Sequence, residues 1–244
     1  MKILVVTAHP DDLENGMGGT LTLLAREGHK IASIIATLPM NELGLSGGVR
    51  RMESIASHAL LNMAPPLFLE QPDGKLEDSA TTRSAVKIAI ETEKPDVIFT
   101  LWPADVHPDH RAIASLTLGA ALQRGVNTEL FCFEVCASGR ASTSFRPQTL
   151  GFFPTHYVDT TDVQEEKYAL MNCHKTQDPD GMWLGMQNVH SNRGVESGHD
   201  FAEGFLRLTR HGELHPELTR LFAPTRHSLP RGIGVDFEKS AIGL

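Results

Sequence analysis

Residues 3–28 read ILVVTAHPDDLENGMGGTLTLLAREG. The first five, residues 3–7, are apolar and largely β-branched, a run whose length suits a buried strand. A polar segment follows. From residue 16 onward Leu21 and Leu24 recur at helical spacing, and Gly28 supplies a helix stop. Strand, loop and helix therefore stand in that order.

The same unit repeats outward from this stretch. Residues 31–37, 67–70, 97–101 and 129–135 read as strands, and residues 51–63, 81–93 and 112–123 as helices, with Pro95 closing the second of these. Such alternation predicts an α/β, Rossmann-like three-layer fold with a mostly parallel central sheet, because right-handed crossovers lay helices over both faces. Beyond residue 139 the pattern loosens. Residues 157–158 read as a late strand, and residues 165–174 and 201–210 as helices. From about residue 212 periodicity fades and prolines recur. One α/β domain is expected over residues 1–210, with a C-terminal tail over residues 211–244 packed on its surface or partly ordered.

With 244 residues and 41% hydrophobic content, the chain is able to bury a full core in one domain. A net charge of -8 argues against a nucleic-acid partner, since holding a polyanion by bulk electrostatics needs a basic face. No stretch reaches the roughly 18 uninterrupted apolar residues of a membrane span, and the apolar start is too short for a secretory signal. A cytoplasmic location is expected. Of the 3 cysteines, Cys132 and Cys136 point to one face of a strand, and buried free thiols are preferred to metal ligands there.

Open α/β sheets bind ligands at the carboxyl ends of their strands. After the first strand comes His9-Pro10-Asp11-Asp12-Leu13-Glu14, and after the fourth Asp105-Val106-His107-Pro108-Asp109-His110. Either cluster alone reads as easily as a solvated turn or a helix cap. Two of them at the same end of one sheet favour chemistry.

A catalytic zinc takes three nitrogen or oxygen ligands and leaves one position open for water. His9 and Asp12, three apart across a proline-restricted turn, are able to converge on one point, which leaves Asp11 between them to accept a proton. Either His107 or His110 completes the set, and the other faces the substrate. Asp109 is placed to accept from a histidine ring and fix its tautomer. With no thiolate pair nearby, zinc fits better than copper, and iron, manganese or cobalt could take the same ligands. Glu14 suits a helix start near the positive end of the dipole as well as it suits function.

Gly16-Met17-Gly18-Gly19 follows a strand and opens a helix, as a dinucleotide fingerprint does. The spacing fails, because the third glycine position holds Leu21 and the loop is acidic. Close helix-to-sheet packing accounts for these glycines. Arg50, at a helix start after the glycine-rich residues 43–48, is a candidate to grip a carboxylate or phosphate on the substrate, the alternative being a solvated arginine. For Arg140, Arg146 and Arg193 the solvated reading is preferred.

In His9-Pro10-Asp11-Asp12-Leu13-Glu14 with Gly16-Met17-Gly18-Gly19-Thr20, and in Asp105-x-His107-Pro108-Asp109-His110, the sequence resembles the LmbE-like or PIG-L family of zinc-dependent de-N-acetylases. Further family-like stretches are Arg50-Arg51-Met52-Glu53, Pro72-Asp73-Gly74, Tyr157-Val158-Asp159, His174-Lys175-Thr176-Gln177 and Phe201-Ala202-Glu203-Gly204-Phe205. The resemblance implies that His9, Asp12 and His110 ligate zinc and that Asp11 is the general base. It also implies that His107, supported by Asp109, stabilises the oxyanion or protonates the leaving amine. The implied substrate is a small acylated amino sugar containing N-acetylglucosamine; the alternatives are a zinc-dependent amidase acting on a thiol conjugate or an acylated secondary metabolite and, after it, a non-catalytic metal- or sugar-binding module. Family members assemble in several ways, so a homo-oligomer is a candidate assembly. Some relatives carry a tyrosine where this chain has Asp105, so a tyrosine's role in holding the oxyanion does not transfer.

Overall fold

The structure, a computed structural model, describes residues 1–122, 128–135, 151–208 and 214–222. Strand β1 (Lys2–Thr7) leads into helix α1 (Asp12–Arg26). Alternation continues through β2 (Lys30–Leu38), α2 (Val49–Leu60), β3 (Leu67–Pro72), α3 (Ala80–Glu93), β4 (Val97–Leu101), α4 (Pro108–Ala121) and β5 (Glu129–Phe133). Local chemistry sets these limits. Gly28 takes φ 76° just past α1. Ser79 caps α3 by accepting from the Thr82 N–H at 3.1 Å, and Pro108 stands in the first turn of α4, where its missing N–H is not needed. Then come β6 (His156–Asp159), α5 (Gln164–Met171), α6 (Pro179–Ser197), β7 (Ala202–Arg207) and α7 (Pro216–Leu221).

The strands form one sheet in the order β3-β2-β1-β4-β5-β7-β6. Strands β1 to β5 run parallel, β7 is antiparallel to β5, and β6 is antiparallel to β7. The chain thus has the expected α/β architecture with a mostly parallel sheet. From β1 it proceeds to β2 and β3 on one side, then crosses to β4 and β5 on the other. The carboxyl ends of β1 and β4 therefore flank a topological switch point, where diverging loops open a crevice. Both chemistry-bearing clusters lie there.

One local expectation changes, and two helices appear that the pattern alone does not show. Residues 201–210, read as a helix, contain β7 instead, because the segment pairs with β5 on one side and β6 on the other, and pairing on both sides overrides local pattern. Helix α6 escapes a periodicity search because its buried stripe is Met182, Gly185, Met186, His190 and Gly194, and glycines and a histidine carry no hydrophobic signal. Within the expected tail, α7 buries Leu218 in the main core, and the Phe222 ring lies 5.2 Å from that of Phe131. Residues 211–213 and 223–244 of that tail lie outside the described residues, as do Cys136, Arg140 and Arg146. Cys132 is a buried free thiol that burial pushes up to about 12. Among the described residues no helix is long and apolar enough to cross a membrane.

The core centres on β4 and β5. Phe99 has 0% exposure, and its ring lies 5.5 Å from Phe131 and 5.3 Å from Phe205, so it ties the parallel half of the sheet to β7. Phe99→Ala is expected to cost about 3–5 kcal/mol, read as a lower urea midpoint at unchanged m-value. A loss under about 1 kcal/mol would contradict this packing role.

Candidate functional site

The site is built first from a strained turn. Asp11 takes φ 111°, ψ -24°, a region that a non-glycine residue enters only when its surroundings hold it there. Asp12 does much of the holding, because its carboxylate accepts from the N–H groups of Ala8 (3.1 Å) and His9 (2.7 Å). The turn is thereby folded back on itself, and His9, Asp11 and Asp12 are all buried.

The second wall is the start of α4. His107 caps this helix, its Nδ1 accepting from the Asp109 N–H at 3.2 Å, while its own N–H donates to Asp105 Oδ1 at 2.7 Å. His110, within the first turn, reaches across the crevice. His9 Nδ1 and His110 Nε2 are 3.1 Å apart, His110 Nε2 is 3.3 Å from Asp12 Oδ1, and His9 Nδ1 is 3.5 Å from Asp12 Oδ2. A tetrahedral metal with ligands at about 2.0–2.2 Å needs donors about 3.3–3.6 Å apart. His9 Nδ1 and His110 Nε2 come close to that spacing, each ring facing a different oxygen of Asp12, and nitrogen and carboxylate donors of this kind suit such an ion.

The outward nitrogens of these rings face further carboxylates. His9 Nε2 lies 3.2 Å from Asp109 Oδ2 and 3.2 Å from Asp73 Oδ1. A proton on Nε2 leaves the Nδ1 lone pair facing the crevice. Asp105 Oδ2 is 3.2 Å from His110 Nδ1, off the hydrogen-bonding direction but close enough to favour a proton there. Asp109 is itself fixed by the N–H groups of Gly74 (2.6 Å) and Leu76 (3.1 Å). The ring that its carboxylate serves is thus His9. The support for His107 that the resemblance implies is not a side-chain hydrogen bond: His107 Nδ1 accepts from the Asp109 backbone N–H, because the helix start aims the Asp109 side chain toward the turn after β3.

Donor atoms of His9, His107 and His110 also lie within 4.8 Å of one another, as do those of His9, Asp73 and Asp109. The second group gathers at His9 Nε2, the ring nitrogen opposite the one that faces His110. Burial alone would lower His110, but the carboxylates of Asp12 and Asp105 prevail and push it up to about 9. His9 is likewise raised, burial being outweighed by Asp12, Asp109 and Asp73. Burial works against ionised Asp12, yet His110 and His9 hold it well below the usual carboxylate range. The carboxylates around these two rings favour positive charge in the crevice.

Asp11 stands apart from that preference. Burial pushes it up to about 6, although Arg50 draws it down. Arg50 is buried rather than solvated: its Nη2 donates to the Pro10 carbonyl at 2.7 Å and lies 3.4 Å from Asp11 Oδ1, and its Nη1 is 3.5 Å from Asp73 Oδ2. Glu42 accepts from the Arg50 N–H, in space that a Cβ at Gly48 would fill. Glu14 faces inward instead, bonded to Ser57 and 3.2 Å from His174 Nε2. Arg193 is held by Glu134 at 2.6 Å and Glu196 at 2.7 Å, not solvated. Asp73 and Asp105 had no assigned role from sequence. Asp73 follows β3 directly, so the rule that singled out the other post-strand segments would have found it.

Residues 4–121 match the PIG-L family, described as GlcNAc-PI de-N-acetylase. The chain carries a PIG-L family domain. A diacetylchitobiose deacetylase of Thermococcus kodakarensis is 28% identical to it over 223 residues, covering 83% of this chain and 81% of that protein. A conserved protein of Thermus thermophilus superposes with a TM-score of 0.69 at 27% identity, covering 88% of this chain and 97% of the other. The 4-carboxy-2-hydroxymuconate hydratase of a Pseudomonas shares the fold at a TM-score of 0.68 and 20% identity, with 88% and 98% covered. The PIG-L match contains every residue of both clusters, together with Arg50 and Asp73.

Proposed function

We propose that this PIG-L domain is a zinc-dependent hydrolase that removes an acetyl group from the amine of a small molecule containing N-acetylglucosamine. The observation that carries the reading is the convergence of His9 Nδ1, the Asp12 carboxylate and His110 Nε2 beside a buried carboxylate, Asp11, that the metal does not need. In this reading His9, Asp12 and His110 hold the ion. Bound there, zinc supplies Lewis acidity that acidifies water and polarises the acyl oxygen.

Asp11 accepts the proton of the attacking water and returns it to the departing nitrogen. His107 serves the developing oxyanion. Its Nδ1 lone pair is engaged by the Asp109 N–H, so the neutral ring carries its proton on Nε2 and is a donor there. Burial, with His9 and His110 nearby, lowers its affinity for a second proton. This favours a neutral donor over an acid, and leaves Asp11 to protonate the amine. Asp109 and Asp105 orient His9 and His110. The sugar substrate is supported by the family description and by the deacetylase of Thermococcus kodakarensis.

Arg50 has two duties in this scheme, bracing the turn through the Pro10 carbonyl and presenting charge beside Asp11. Arg50→Lys keeps the charge but loses the planar fork. Loss of a hydrogen bond to a charged group costs about 1.5–3 kcal/mol, so kcat/KM is expected to fall roughly 10- to 100-fold in steady-state kinetics. An unchanged value would remove Arg50 from the site.

The function is tested by metal analysis of the purified protein together with acetate release from a panel of N-acetylglucosaminides, set beside N-acyl thiol conjugates. One zinc per chain and acetate from the sugars is the expected result. Hydrolysis of the thiol conjugates alone would move the substrate class. Absence of metal after zinc supply, with no response to chelator, would overturn the proposal.

A further inference from the structure

Helix α1 is broken. Met17 takes φ -141°, ψ 23°, so the chain leaves helical geometry one turn past Asp12. A break leaves backbone groups on both sides without helical partners. Here a single buried ion pair meets them. Lys167, on α5, donates from Nζ to the Asn15 carbonyl at 2.9 Å. Glu203, on β7, accepts from the Gly19 N–H through Oε1 (2.9 Å) and from the Thr20 N–H through Oε2 (2.7 Å). The two side chains meet at 2.6 Å, and Lys167 Nζ lies 3.0 Å from Nδ1 of His190 on α6. All three ammonium hydrogens are thus used, and both charged residues have 0% exposure.

The glycines make room for this arrangement. A Cβ at Gly18 would stand 3.2 Å from Lys167 Cγ. One at Gly19 would stand 3.2 Å from Glu203 Oε1 and 2.6 Å from Thr160. This sharpens the packing role expected of Gly16-Met17-Gly18-Gly19. A buried ion pair is an expensive way to fill space, because the desolvation of two charges offsets most of their attraction. Stability alone therefore does not account for it. What the pair does reach is the turn that carries the site: the Asn15 N–H donates to the Asp11 carbonyl at 2.9 Å, so Lys167 is one peptide removed from a hydrogen bond to Asp11.

We propose that Lys167 and Glu203 are positioning residues that splint the break in α1 and set the direction of its first turn, so that Asp11 and Asp12 meet His9 and His110. Neither touches the reacting groups. The inference rests on the metal site proposed above, and it assigns metal affinity to a pair buried behind that site.

The test compares the full-length protein with K167M, E203Q, the double variant K167M/E203Q and the control I90A. The control removes buried packing on α3, away from the splint. Zinc affinity is read by competition with a chromogenic chelator, stability by thermal unfolding, and kcat and KM separately. K167M and E203Q are expected to weaken zinc binding about 10- to 100-fold, the range for losing a group that orients a ligand, and to lower kcat more than they raise KM. The double variant is expected to regain part of the thermal stability, since no charge is left buried alone, while zinc affinity stays low. I90A is expected to lose stability at unchanged zinc affinity. Should K167M not fold, E203Q carries the test, because glutamine keeps the shape and one acceptor. If the parent protein binds zinc and E203Q binds it equally well, the splint is overturned. If the parent binds none, the metal site itself falls.

Discussion

Asp11→Asn lowers kcat by about 10²- to 10⁴-fold, the usual worth of a positioned proton acceptor, while the protein keeps its metal. The substitution is nearly isosteric, and asparagine tolerates positive φ better than most residues, so the strained turn at φ 111° survives it. Arg50 stays satisfied, because its Nη2 bond to the Pro10 carbonyl does not involve the side chain that changes. What is lost is the capacity to take a proton. KM should therefore move far less than kcat, the pattern of an interaction made in the transition state alone. Kinetics with parallel metal analysis measures this. Full activity in a zinc-loaded Asp11→Asn protein would show that the base is another group.

Removal of the metal is the second large effect. A chelator is expected to take the rate down about a thousandfold or more, since Lewis-acid stabilisation is worth several kcal/mol, and added zinc should restore it. Stability should fall with it. The crevice gathers Asp12, Asp73, Asp105 and Asp109 around two rings, and an ion that binds only the folded chain stabilises it by about 4 kcal/mol at a thousand times its Kd. The thermal midpoint should then rise with zinc concentration. His110→Ala should abolish that rise, because it removes the nitrogen that stands 3.1 Å from His9 Nδ1 and completes the donor set. A chelator-insensitive rate would refute the metal reading.

Much of this site was legible in the sequence, because its residues lie in two short segments that directly follow strands. His9, Asp11, Asp12, His107 and His110 announce themselves by type and by position after β1 and β4. Arg50 was legible as a candidate only. Its burial depends on Glu42 and Asp73, which no local pattern joins to it. Asp109 was legible as the partner of a histidine ring, but which ring was not, for a like reason. Its side chain, in the helix start just after His107, does not serve that neighbouring ring but the ring of His9, 100 positions earlier in the chain.

The sequence by itself determined the parallel sheet and the clusters, since strand-helix alternation and local residue type are properties of short windows. The opening stretch, residues 3–28, already held the strand, the acidic turn and the glycines of one half of the site. Tertiary structure decided the rest: that β1 and β4 are neighbours at the point where strand order reverses, and that α1 breaks at Met17. Only there do Lys167 and Glu203, 36 residues apart in the chain, meet the groups the break exposes. Hydrogen bonding and burial act through space, and a chain's local pattern records which groups need partners without recording which partners the fold will bring.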